Sequence, residues 1–106
     1  METWQIDLGG SRGHEQKKER PCLIWRDLDH LQMAVIIPFT GSLDGERFSH
    51  THTVSPTSAN GLEKDSVALV FQITSIDKKR LIKKLGVLDD ADTRAIGIIL
   101  KDLLRL

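Results

Sequence analysis

The chain has 106 residues, 40% hydrophobic and 28% charged, with 15 basic side chains against 15 acidic ones. Those proportions belong to a globular protein and not to a disordered one, with room for one ordinary core, and lead us to expect a single domain over residues 1–106. A net charge of zero and an aromatic share of 5% speak against binding nucleic acid through overall charge or through a large stacking platform. The lone cysteine, Cys22, sits between Pro21 and Leu23 and reads as a small buried hydrophobe; with no second thiol in the chain, a reducing cytoplasm is the natural setting. The N-terminus has no charged-then-apolar leader pattern, and no stretch approaches the roughly 20 apolar residues of a membrane span. The expectation is a cytoplasmic protein without a membrane partner.

Trp4 to Leu8 alternates apolar and polar residues, as a half-buried strand does. Gly9 to Arg20 follows as a loop of roughly a dozen residues, long enough in a small protein to point to function. It carries the polar block His14-Glu15-Gln16-Lys17-Lys18-Glu19-Arg20 and closes on Pro21, which keeps Arg20 extended at the start of the next strand. Cys22 to Trp25 continues that strand, and Arg26 to His30 reads as a polar turn. Leu31 to Phe39 is a nearly continuous apolar run, the pattern of a central strand buried on both faces. Its pairing should stop or bulge near Pro38.

Thr40-Gly41-Ser42 and a polar connection lead to Phe48 through Val54, whose period-two pattern predicts an exposed strand. Pro56 to Leu62 forms a loop that turns at Asn60-Gly61. Ser66 to Ile73 reads as one apolar strand, and Asp77 is placed to cap a short helical turn through Arg80. Leu81 to Leu88, with Gly86 inside, reads as a last, bulged strand. Asp89, Asp90 and Asp92 mark a helix start, and Ile96, Ile99, Leu100 and Leu103 recur at the spacing of a helix packed on a sheet. Short strands followed by one C-terminal helix give a mainly β fold, a small and highly curved antiparallel sheet or barrel carrying a helix.

Charge is unevenly spread. Asp77 to Lys84 holds Lys78, Lys79, Arg80, Lys83 and Lys84 against one acid, and Arg12 to Arg20 is also net positive. Brought together, the two segments would make a basic patch suited to a phosphate backbone; apart, they are solvated lysine faces. Arg20 offers a planar fork of donors that matches phosphate oxygens, although a surface ion pair with Glu19 or Glu15 is the simpler reading of that residue alone. Glu15 and His14 are each capable of general acid or base work. Thr40 brings a hydroxyl to the end of the most buried strand, with Gly41 and Ser42 beside it. Gln72 is a lone amide in an apolar run, either a satisfied core group or a donor and acceptor for a base edge. His50 and His52 would share a face of their strand; lacking a third ligand at any sensible spacing, they read as an exposed pair and not as a metal site.

Taken together, the residues resemble one family along nearly the whole chain. Trp4-Gln5-Ile6-Asp7-Leu8, Gly13-His14-Glu15-Gln16, Arg20-Pro21, and Ile36-Ile37-Pro38-Phe39-Thr40 appear in the order found in the MazF/PemK/Kid toxin ribonucleases. Gly61-Leu62, Asp65-Ser66-Val67, Gln72-Ile73, Ser75-Ile76-Asp77, Arg80-Leu81 and Lys84-Leu85-Gly86-Val87-Leu88 continue the match. The resemblance implies an SH3-like barrel with a C-terminal helix, a homodimer, and a cognate antitoxin protein of the MazE kind as partner. It implies sequence-specific, metal-independent cleavage of single-stranded RNA or mRNA without a cofactor. The RNA's own 2′-hydroxyl would attack phosphorus, leaving a 2′,3′-cyclic phosphate and a 5′-hydroxyl. By position, Arg20 would stabilise the phosphorane, Glu15 would act as base or organise the loop, His14 would serve in acid/base exchange, and Thr40 would bind phosphate. Gln16, Lys17, Lys18, Ser42 and Gln72 would contact RNA.

Two positions depart from the family pattern. Phe71 stands where members commonly carry an acid before the glutamine, and Leu69 where some carry an arginine. Acid and base therefore cannot come from that strand, and the burden shifts to Glu15 and His14. Two other readings compete: a gyrase-binding poison of the related CcdB fold, and a catalytically weak RNA-binding relative.

Overall fold

The structure, a computed structural model, describes residues 1–9 and 19–106. Seven strands and one helix follow in chain order: β1 (Glu2–Asp7), β2 (Glu19–Leu28), β3 (Met33–Thr40), β4 (Thr51–Val54), β5 (Ser66–Leu69), β6 (Thr74–Asp77), β7 (Leu81–Val87) and α1 (Asp90–Leu104). All pairings are antiparallel, in the order β4-β5-β3-β2-β1-β7, with β6 also on β3. Among the described residues β4 and β7 do not pair, so the strongly curved sheet is barrel-like without closing.

β3 is the strand buried on both faces that its apolar run predicts. Ile37 and Phe39 face the main core with Leu23, Val70, Ile96 and Leu100, while Ala34 and Ile36 face a second cluster with Ile6, Cys22 and Ile76. β2 alternates in step, with Leu23 on the helix side and Cys22 on the other. It also runs longer than expected, since Arg26 to Leu28 stay paired and the turn falls on Asp29–Leu31. Cys22 has no exposed surface, and burial pushes its thiol up to about 12, against a smaller opposing pull from Arg20. The native protein should therefore leave a disulfide-exchange reagent unconsumed at pH 8 and titrate one thiol only after denaturant is added. A fast native reaction would show that this cluster opens.

Two strands differ from the expectation. Ser66 to Ile73 is not continuous: β5 ends at Leu69, Val70–Gln72 turns as a 3-10 segment, and β6 begins at Thr74. Both pieces run along β3, with β5 on Phe39 and Thr40 and β6 on Met33 to Ile36. The register slips between them, and the intervening turn takes up the surplus residues by lifting Phe71 and Gln72 to solvent while Val70 drops into the core. The strand expected from Phe48 begins only at Thr51, because His50 adopts a left-handed φ of 59°. His50 and His52 then reach opposite ends of α1, with Nε2 of His50 2.8 Å from Asp102 and Nε2 of His52 2.8 Å from Asp92. Each imidazole ties the sheet to the helix.

The helix and turns follow the sequence closely. The Asp89 carboxylate accepts the Asp92 amide at 2.7 Å as N-cap, and Ile96 and Leu100 are buried with Ile99 and Leu103 beside them. Asp77 likewise caps the short turn Lys78–Arg80 through the Lys79 amide at 2.8 Å. Asn60-Gly61 is more than a turn. Oδ1 of buried Asn60 accepts the Thr57 and Leu62 amides, its Nδ2 donates to the Ser55 carbonyl, and its own carbonyl accepts the Thr3 hydroxyl at 2.7 Å. The loop is stapled to β1 and β7, which is why Leu62 can enter the core.

Candidate active site

The site forms where β2 begins and β3 ends. In the β1–β2 ladder Arg20 stands opposite Ile6; in the β2–β3 ladder the last registered pair is Cys22 and Pro38. Two residues further along each strand are Arg20 and Thr40, so the pleat turns both toward the face of Cys22. Arg20 is half-buried, held there by the proline that follows it. The Thr40 hydroxyl oxygen accepts the Ser42 amide at 3.2 Å, which leaves the hydroxyl proton free to donate outward.

A cavity of about 280 Å³ opens beside Thr40 and brings together three residues singled out from the sequence, Thr40, Ser42 and Gln72. Gln72 is exposed, so of its two sequence readings the buried one does not hold: the 3-10 turn presents the amide to solvent. The same cavity holds two residues the composition gave no reason to expect there. Phe48 and Phe71 are 47% and 37% exposed, and their ring centroids lie 5.6 Å apart. The guanidinium of Arg47 sits 5.0 Å from the Phe48 ring centre. Scarcity of aromatics argued against a stacking surface, yet the fold gathers two of the three phenylalanines at this spot. No periodic signal in the sequence links them, because they are joined only by the loop after β3 and the slip between β5 and β6.

A larger cavity of about 390 Å³ lies on the opposite side of the strand ends, lined by Gln5, Pro21, Phe39, Lys64 and Lys83. Gln5 pairs with both Pro21 and Lys83, so these side chains share the face that Arg20 and Thr40 do not. In the run Lys78 to Lys84, two of the five basic side chains are paired with acids among the described residues. The Lys78 ammonium lies 2.8 Å from Asp29 and 3.0 Å from Asp27, and these hydrogen bonds hold Lys78 above and Asp29 below their usual titration ranges. Lys84 pairs with Glu2 at 3.5 Å. Arg80 instead donates to the Asp7 carbonyl, where the chain leaves β1 toward the polar loop. His14, Glu15, Gln16, Lys17 and Lys18 lie outside the described residues. Among the described residues no three His, Cys, Asp or Glu side chains converge as metal ligands, and no helix is long and apolar enough to cross a membrane.

Fold and site together define a small, mainly β domain, a curved antiparallel sheet with one C-terminal helix and with an arginine and a threonine at the ends of neighbouring strands. The sequence profile of the family described as "PemK-like, MazF-like toxin of type II toxin-antitoxin system" matches residues 1–104. The chain is 30% identical over 99 residues to the "Endoribonuclease MazF" of Staphylococcus saprophyticus, a match spanning 91% of this chain and 82% of the relative. Among solved structures it superposes on Mycobacterium tuberculosis toxin MazF-mt6 with a TM-score of 0.79, covering 100% of this chain and 98% of that one at 20% identity. MazF of Deinococcus radiodurans gives a TM-score of 0.74 over 99% of this chain and 93% of its own, again at 20% identity. The structural likenesses speak for the fold, and the profile for the family. This chain belongs to the PemK-like, MazF-like toxins of type II toxin–antitoxin systems and is an endoribonuclease.

Proposed function

We infer that this toxin cleaves single-stranded RNA at short sequence motifs, without a metal ion, by in-line attack of the substrate's own 2′-hydroxyl. The observation that carries the reading is that Arg20 opens β2 and Thr40 closes β3, each two residues beyond the last registered pair of these neighbouring strands, Cys22 and Pro38. Attack by the 2′-oxygen on phosphorus breaks the bond to the 5′-oxygen and yields a 2′,3′-cyclic phosphate and a 5′-hydroxyl. A base must take the 2′-proton, an acid must supply a proton to the departing 5′-oxygen, and the phosphorane between them carries extra negative charge. Arg20 meets that charge with a guanidinium fork, and the Thr40 hydroxyl donates to a phosphate oxygen. His14 and Glu15 are our candidates for the two proton transfers, and Gln16, Lys17, Lys18, Ser42 and Gln72 for contacts along the strand.

The family match favours cleavage over the gyrase-binding alternative. A cognate antitoxin protein, a homodimer and a cytoplasmic location complete the proposal; a structural neighbour described as an endoribonuclease "in complex with its cognate antitoxin" supports the first of these.

Purified protein incubated with a long mixed-sequence RNA in excess EDTA should cut at a recurrent short motif and leave 5′-hydroxyl ends. Cleavage that stops with EDTA and returns with added magnesium would overturn the metal-independent route, and 5′-phosphate ends would overturn attack by the 2′-hydroxyl.

A further inference from the structure

We propose that Phe48 and Phe71 form a stacking platform that holds a nucleobase of the single-stranded RNA beside the Thr40 end of the site. This rests on the ribonuclease reading above and adds to it a positioning role for two residues outside the Arg20–Thr40 pair. The rings are 5.6 Å apart and tilted by 49°, both partly exposed, and they share one cavity of about 280 Å³ with Thr40 and Gln72.

The platform is built by the backbone. The Phe48 amide donates to the Gly45 carbonyl at 3.1 Å and the Phe71 amide to the His50 carbonyl at 3.3 Å, so both residues are held at their Cα positions. The Val70–Gln72 turn lifts Phe71 out of the apolar strand, although its neighbour Val70 is fully buried. A phenylalanine lifted off the sheet beside a second exposed ring loses burial that either could have found in the core, unless something covers it.

The surroundings fit a base and its backbone better than an apolar side chain. Arg47 lies over Phe48 and adds a cation at the platform's edge. The Gln72 amide supplies a donor and an acceptor for a base edge, and the Asp44 carboxylate, in the same cavity, supplies an acceptor for an exocyclic amino group. The Thr40 hydroxyl lines the same cavity and would receive the adjoining phosphate. A base stacked on Phe71 would hold the strand at this end of the site, with its adjoining phosphate toward Thr40.

The test uses Phe48→Leu and Phe71→Leu, which keep apolar bulk and remove the ring, with Phe71→Trp as the rescuing variant. Binding is measured on a 2′-O-methyl single strand of mixed sequence, which lacks the attacking hydroxyl, and cleavage on the unmodified RNA. Each leucine variant should bind about tenfold more weakly and raise KM with kcat nearly unchanged, while the tryptophan variant restores binding. A 2-aminopurine in the strand should be quenched on binding by the wild type and less so by the leucine variants. Leucine variants that bind and cleave like the wild type would overturn the platform and leave the ribonuclease standing. Leucine variants whose only change is a lower mass by sedimentation would also overturn it, assigning the rings to a protein interface. A wild type that neither binds nor cleaves RNA would remove the ribonuclease reading and the platform together.

Discussion

Arg20→Ala is expected to lower the single-turnover rate of RNA cleavage by about 10²- to 10³-fold, the typical loss when one preorganised donor is taken from a developing oxyanion. The size of the effect follows from what the residue supplies. In the proposed reaction the phosphorane would gain a charge in a partly sheltered site, and the fork of the half-buried Arg20 guanidinium would meet it with two parallel hydrogen bonds. Arg20→Lys keeps the charge and loses the fork, so its rate falls between wild type and alanine. Both variants should melt near the wild-type temperature, because the Arg20 side chain makes no hydrogen bond to another side chain among the described residues. Full cleavage by Arg20→Ala, measured by quantifying product ends on a mapped motif, would remove the central assignment.

Gly61→Ala is expected to destabilise the fold by about 3 kcal/mol, and so to lower the melting temperature by roughly 15 °C. Two costs combine. Gly61 has a φ of 69°, a region alanine enters at a penalty, and a Cβ there would meet the carbonyl group of Leu85 on β7. Backbone cannot step aside as a flexible side chain can, so the 55–62 loop must lift. Lifting it strains the Asn60 hydrogen bonds and withdraws Leu62 from the core. Gly97→Ala is the control. Its φ is helical, its Cβ would meet only the rim of Trp25 at 3.4 Å, and alanine gains about 1 kcal/mol of helix propensity. Thermal melts of the two variants should move in opposite directions. A Gly61→Ala protein as stable as the wild type would mean that the loop is not the staple described.

Much was legible in the sequence. The capped helix, the doubly buried β3, the Asp77 turn, the bulged β7 and the buried Cys22 all follow from patterns that local physics reads: burial period, capping carboxylates, and a proline at a strand start. So did the family, through Arg20-Pro21 and the ordered fragments around it. These features depend on residues within a few positions of one another, or on a count of apolar neighbours, and a linear chain states both.

What only the tertiary structure decided were the meetings between distant segments. Apolar Ser66 to Ile73 announces burial but not its partner; because β5 and β6 pair with different stretches of β3, the run breaks and sends Phe71 and Gln72 outward. Lys78 read as one of a run of lysines, in a basic patch or on a solvated face, and the end of β6 brings it against Asp27 and Asp29. His50 and His52 looked like an exposed pair until α1 laid Asp102 and Asp92 against them. Periodicity reports how deeply a side chain is buried, and capping rules report where an element stops. Neither carries the register between strands, and it is the slip in register between β5 and β6 along β3 that presents Phe71 to Phe48.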